Sequence, residues 1–145
     1  MSERHGAVTM KGNPLTLTGN ELSRGDQAPD VELLDNELQP VKLSSFRGKV
    51  LVISSVPSLD TPVCDVETRR FNTEAANLGD DVAIVTISMD LPFAQARWCG
   101  AAGIDKITTL SDHHGAAFGE AYGLLIKELR LLARSIFVVD RNGVI

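Results

Sequence analysis

Two apolar stretches, Val50-Leu51-Val52-Ile53 and Val82–Ser88, stand on either side of a helix-forming segment, and this arrangement constrains the fold more than any other feature. An apolar run without polar alternation marks a strand covered on both faces, as in the middle of a parallel or mixed sheet. Between the two runs, Thr61 can serve as an N-cap and Pro62 suits the first helical position. Val63, Val66, Phe71, Ala75 and Leu78 fall within half of the helical wheel, so that side is expected to face a core. Further on, 93–102 reads as a helix, 108–110 as a short strand, 116–122 as a helical stretch and Ser135–Val139 as a strand. Strands alternating with helices define an α/β domain with a largely parallel or mixed sheet.

Ahead of this unit, 8–10 and 15–18 are β-prone and flank Lys11-Gly12-Asn13-Pro14, which reads as a small hairpin. Short strands are expected at 31–34 and 41–43. At the other end, Arg141-Asn142-Gly143 is a hairpin turn signal. Only Val144 and Ile145 follow it, so the sequence reads as stopping inside an element.

A chain of 145 residues forms one domain, 1–145, and can bury a core without disulfide or metal staples. The net charge of −5 argues against general nucleic-acid binding, which needs a concentrated basic surface. No apolar run approaches the span of a bilayer, and the polar N-terminus lacks the apolar centre of a secretory signal. The expected compartment is therefore the cytoplasm. Thiols are kept reduced there, so the two cysteines read as reactive or buried before they read as a structural bridge.

The segment that carries chemistry is Pro57-Ser58-Leu59-Asp60-Thr61-Pro62-Val63-Cys64. A strand delivers the chain to the sheet edge, a loop turns it into a helix, and Cys64 lands at about the third helical position. Unpaired N–H groups and the positive end of the helix dipole favour a thiolate there, which is the nucleophilic form of cysteine. Thr61 lies three residues before the sulfur, where its hydroxyl can donate to a thiolate or hold a bound hydroperoxide. Pro57 stiffens the loop and can shield the sulfur. A lone thiol on a helix face is usually packing, but the Pro-x-x-x-Thr-x-x-Cys spacing at a strand-to-helix turn reverses that preference.

Pro57, Thr61 and Cys64 match the active-site pattern of the peroxiredoxin family, and the run from Ser58 to Cys64 resembles its bacterial thiol peroxidase branch, of the atypical two-cysteine kind. Three further segments are similar to that branch. Arg97-Trp98-Cys99-Gly100-Ala101 resembles the segment of its resolving cysteine. Leu132-Ala133-Arg134-Ser135-Ile136-Phe137-Val138-Val139-Asp140 resembles its strand led by an active-site arginine. Val8-Thr9-Met10-Lys11-Gly12-Asn13-Pro14 resembles its N-terminal hairpin. The resemblance implies a thioredoxin-like fold, with a central mixed sheet flanked by helices and the hairpin added. Relatives continue through another strand and a C-terminal helix. It implies a peroxidase without metal or organic cofactor, reducing hydrogen peroxide and organic hydroperoxides. Cys64 would become a sulfenic acid, with Thr61 and Arg134 orienting the peroxide. Cys99 would resolve it as an intramolecular disulfide, recycled by thioredoxin. The family also implies a homodimer.

Several assignments have bland counterparts. An arginine preceding a strand is usually solvated, and only the resemblance selects Arg134 over Arg130. Glu67 can position that arginine, or simply pair with Arg70 along the helix. Cys99 lies 35 residues from Cys64 within a helix, so both helix ends are expected to unwind for a disulfide, and Gly100 and Gly103 weaken the second helix. A metal site built from Cys64, Cys99, His113 and His114 lacks ligand spacing, and the histidines read as a surface loop and helix start. A thioredoxin-like reductase needs a cysteine at position 67, which is Glu67. The glycines form no phosphate-binding run. The rival of a different class is a redox sensor that passes oxidation to a partner protein.

Overall fold

The computed structural model describes residues 2–145, with all of their side chains except that of Ala76. Both apolar runs form central strands. They belong to a six-stranded sheet built from β3 (Glu32–Leu34), β4 (Pro40–Lys42), β5 (Val50–Ser55), β6 (Val82–Ser88), β7 (Thr108–Ser111) and β10 (Ser135–Val139), in the order β10-β5-β6-β7-β3-β4. The pairs β5–β6 and β6–β7 are parallel, and the outer pairs are antiparallel. Crossovers β5-α1-β6 and β6-α2-β7 use helices α1 (Pro62–Leu78) and α2 (Pro92–Ala102). Two right-handed crossovers stepping the same way across a sheet lay their helices side by side on one face.

The hairpin of β1 (Glu3–Met10) and β2 (Asn13–Thr18) forms as the sequence predicts. It joins β8 (Leu125–Ile126) and β9 (Leu131–Leu132) in a second sheet, ordered β1-β2-β8-β9, that the sequence reading misses. Strands of two residues are too short to carry a period. Gly19 lets the hairpin approach the short helix α3 (Ala117–Ala121): its φ is +107°, and a Cβ there would sit 2.1 Å from the carbonyl oxygen of Glu120. The strand expected at 41–43 ends at Lys42, and Leu43–Phe46 form a 3₁₀ helix instead. The turn at Arg141-Asn142-Gly143 forms over Asp140, which accepts the N–H groups of Asn142 and Val144, and Val144 bridges to Gln27.

One expectation fails. Val63, Val66 and Leu78 are 62%, 67% and 48% exposed, so the apolar half of α1 does not face the core as a unit. The side turned inward is the narrower stripe Cys64, Thr68, Phe71 and Ala75, at spacings of four, three and four residues. Cys64 and Thr68 are wholly buried, and Phe71 and Ala75 half-buried. Apolar character alone centred the stripe wrongly because Val63 and Val66 widened it, whereas a cysteine and a threonine mark its middle.

The main core joins both sheets through Leu17, Ile53, Val85, Ile87, Leu110, Phe118, Tyr122 and Leu132. Buried beside it, Asp112 accepts the N–H groups of Phe118 at 3.0 Å and Gly119 at 2.8 Å. Burial outweighs those two bonds and raises the carboxyl from its ordinary 3.8 to about 6. The folded state therefore holds this proton over a range where the unfolded state has lost it, and stability from Asp112 declines as pH rises from about 4 to 6. The stability advantage of wild type over Asp112→Asn should shrink by about 3 kcal/mol across that range in urea titrations. A constant difference would place the carboxyl's titration outside it.

Candidate active site

At the C-terminal end of β5 the chain leaves the sheet through Val56, Pro57, Ser58, Leu59 and Asp60 and enters α1. The loop is held by Asp90, just after β6. Its carboxylate accepts the Ser58 hydroxyl at 2.7 Å, the Leu59 N–H at 2.8 Å and the Ser88 hydroxyl at 2.8 Å. Thr61 is the N-cap, as its place before Pro62 predicts: its Oγ1 accepts the backbone N–H of Cys64 at 3.3 Å. The same hydroxyl donates to the carbonyl of Ser58 at 3.0 Å. Its proton is thus committed within the loop, and donating to a ligand requires the hydroxyl to turn from Ser58.

Cys64 is the third residue of α1, a free thiol with no solvent exposure, packed with Val56, Leu59 and Trp98. Pro57 is half-buried beside this cluster. The register β10–β5 pairs Ser135 with Ser55, so Arg134 emerges where β5 delivers the catalytic loop. The Ser55 hydroxyl anchors that strand entry by donating to the carbonyl of Ala133 at 2.9 Å.

Arg134 Nη1 donates to Glu67 Oε2 at 2.8 Å, and Glu67 Oε1 accepts the buried Ser54 hydroxyl at 3.4 Å. Burial works against the charged guanidinium, but Glu67 and the nearby Cys64 sulfur outweigh it and raise the Arg134 pKa. Of the two readings of Glu67, the structure favours the one that positions Arg134; Arg70 pairs instead with Glu74 at 3.2 Å. Arg130 sits exposed in the β8–β9 turn with φ of 51°.

Cys99 lies in the last turn of α2 as a second free thiol, half-buried, with its sulfur 3.4 Å from Thr109 Oγ1 on β7. Its neighbours are therefore those of β7, while Cys64 has those of the catalytic loop. His113 and His114 occupy the turn before α3, which begins at Ala117 rather than at the histidines. Among the described residues, no three His, Cys, Asp or Glu side chains stand close enough together to hold a metal ion. Nor is any described helix long and apolar enough to cross a membrane. Two contributors escape the sequence reading: Asp90, which holds the loop, and the Trp98–Asp65 contact between the helices. Their partners are more than thirty residues away, beyond any local spacing signal.

A buried free thiol in the first turn of a helix, beside an ion-paired arginine on a thioredoxin-like mixed sheet, is an arrangement that suits thiol-based redox chemistry. The Redoxin family model matches residues 23–145. A thiol peroxidase of Bacillus subtilis is 63% identical over 136 residues, covering 94% of this chain and 81% of the relative. One of Halalkalibacterium halodurans is 57% identical over the same shares. The crystal structure of a peroxiredoxin-like protein from Aquifex aeolicus superposes with a TM-score of 0.86 at 42% identity, covering 92% of this chain and 79% of that one. The chain belongs to the Redoxin family and is a peroxiredoxin-type thiol peroxidase.

Proposed function

We propose that this chain reduces hydrogen peroxide and organic hydroperoxides with Cys64 as the peroxidatic nucleophile, Cys99 as the resolving cysteine and a thioredoxin-type dithiol as reductant. The observation that carries this reading is the buried Cys64 thiol in the first turn of α1 with the Arg134–Glu67 pair beside it.

The Cys64 thiolate attacks the terminal peroxide oxygen. The S–O bond forms as the O–O bond breaks, and the other oxygen leaves with a proton as water or an alcohol. Arg134 stabilises charge developing on the oxygens, and its planar set of donors suits two acceptors at once. Glu67 and Ser54 keep the guanidinium at the mouth of the site. Pro57, Leu59 and Val56 keep water from the sulfur. Thr61 holds the first turn of the helix in register and offers its hydroxyl to the bound peroxide once that group turns from Ser58. Sulfenic acid at Cys64 then meets Cys99, giving a disulfide and water, and an external dithiol returns both thiols by exchange.

Peroxide turnover coupled to a thioredoxin system tests the assignment of the two cysteines. Cys99→Ser should consume one equivalent of peroxide and then stall, with sustained turnover reduced by about a hundredfold or more. Sustained wild-type turnover in Cys99→Ser would remove Cys99 from the cycle.

A further inference from the structure

Trp98 and Cys99 are consecutive on α2, so their side chains diverge by about 100° around the helix axis. Trp98 faces α1. Its indole N–H donates to Asp65 Oδ1 at 2.7 Å, and its ring packs on the cluster of Val56, Leu59 and Cys64. Arg69, paired with the same carboxylate at 3.0 Å, holds its guanidinium carbon 5.8 Å from the ring centroid. Cys99 faces β7 instead. Thr109 gives its own proton to Asn36 Oδ1 at 2.9 Å, which leaves its oxygen free to accept from the Cys99 thiol at 3.4 Å.

The sulfur that has to reach Cys64 is therefore held on the strand side of α2, and an indole occupies the side turned toward Cys64. Asp65 directly follows Cys64 and Trp98 directly precedes Cys99, so one hydrogen bond ties together the two turns that carry the cysteines. Gly100 lowers the helix propensity at the C-terminal end of α2. It lies inside the last turn, Gly103 closes the helix in the left-handed conformation, and the carbonyl of Cys99 accepts the closing N–H groups of Gly103 and Ile104.

We propose that Trp98 and Thr109 are positioning residues for the resolving step, a two-point latch that holds Cys99 away from Cys64 and sets the rate of disulfide formation. The inference rests on the reading of Cys99 as the resolving cysteine. In the latched step the Cys99 sulfur attacks the Cys64 sulfenic sulfur. The S–S bond forms, the S–O bond breaks, and the hydroxyl leaves as water with the Cys99 thiol proton. Cys99 is oxidised, the sulfenic sulfur is reduced, and no further reagent is needed. While the latch stays closed, the sulfenic acid is open to a second peroxide, which would carry it to sulfinic acid. The latch thus also sets the peroxide dose at which the enzyme inactivates.

Trp98→Phe removes the N–H and keeps a ring, and Thr109→Val removes the hydroxyl and keeps the shape. Rapid quenching with one equivalent of peroxide, followed by mass spectrometry, separates sulfenic acid formation from disulfide formation in each protein. Both variants are expected to form sulfenic acid, Thr109→Val at the wild-type rate because Thr109 stands on β7 away from the Cys64 cluster. They should form the disulfide about three- to tenfold faster, the worth of one hydrogen bond. The peroxide dose that converts half of Cys64 to sulfinic acid should rise in parallel, a readout that a purely structural role would leave unmoved. In Thr109→Val, Trp98 remains the single tryptophan of the chain, so its emission follows latch opening directly. Unchanged or slower disulfide formation in both variants would overturn the latch. Absence of a Cys64–Cys99 disulfide in the oxidised wild-type protein would instead overturn the underlying reading of Cys99.

Discussion

Cys64→Ser should lose peroxide turnover by about four orders of magnitude while keeping its fold, because the substitution removes the nucleophile and little else. The position is fully buried, and serine is close to cysteine in volume. The Thr61 cap is a bond to the backbone N–H of residue 64 and survives the change. Packing against Val56, Leu59 and Trp98 loses a sulfur's worth of contact. Initial rates with hydrogen peroxide and cumene hydroperoxide, read beside far-ultraviolet circular dichroism, measure both halves of the expectation. Turnover near the wild-type level would reduce the Pro57–Cys64 motif to a capped helix with a packed thiol.

Arg134→Met carries the second large effect, a fall in the rate of Cys64 oxidation of about a hundredfold or more, the usual cost of removing one preorganised charge-stabilising donor. The stability change should be small, because the Arg134 side chain is 37% exposed and a pair of that kind contributes little to folding. Glu67→Gln should lose less than Arg134→Met, since the amide oxygen can still accept from the guanidinium while its charge is gone. Arg130→Met should leave the rate unchanged, its side chain standing in an exposed turn. Stopped-flow oxidation of the four proteins compares them directly. Equal losses at positions 130 and 134 would mean that bulk charge, not the geometry at Arg134, drives the reaction.

Features written locally could be read from the sequence. The runs through Val50–Ser55 and Val82–Ser88 had to be covered strands, and Thr61-Pro62 had to open a helix, because caps and continuous apolar runs act over a few residues. The place of Cys64 in the first turn followed from the same signals. What depended on register and long-range packing could not be read. The choice between Arg70 and Arg134 as partner of Glu67 is made by the pairing of Ser135 with Ser55, which brings in an arginine 67 residues downstream. The inward stripe of α1 is centred on Cys64 and Thr68, which no hydrophobic count selects, and Val63 and Val66 face outward despite their character. The β8–β9 pair is two residues long on each strand and joins the hairpin through the distant β2, so no local period marks it. Asp90 looks like an ordinary loop aspartate until the loop from Ser58 folds onto it.

The most direct test of the central claim is chemical trapping of the first oxidised species. Cys99→Ser protein, treated with one equivalent of hydrogen peroxide in the presence of dimedone and digested, should carry a single sulfenic acid adduct on the peptide containing Cys64, formed within the time of peroxide consumption. Peroxide consumed with no adduct on that peptide would contradict the assignment of Cys64 as the residue that reduces peroxide.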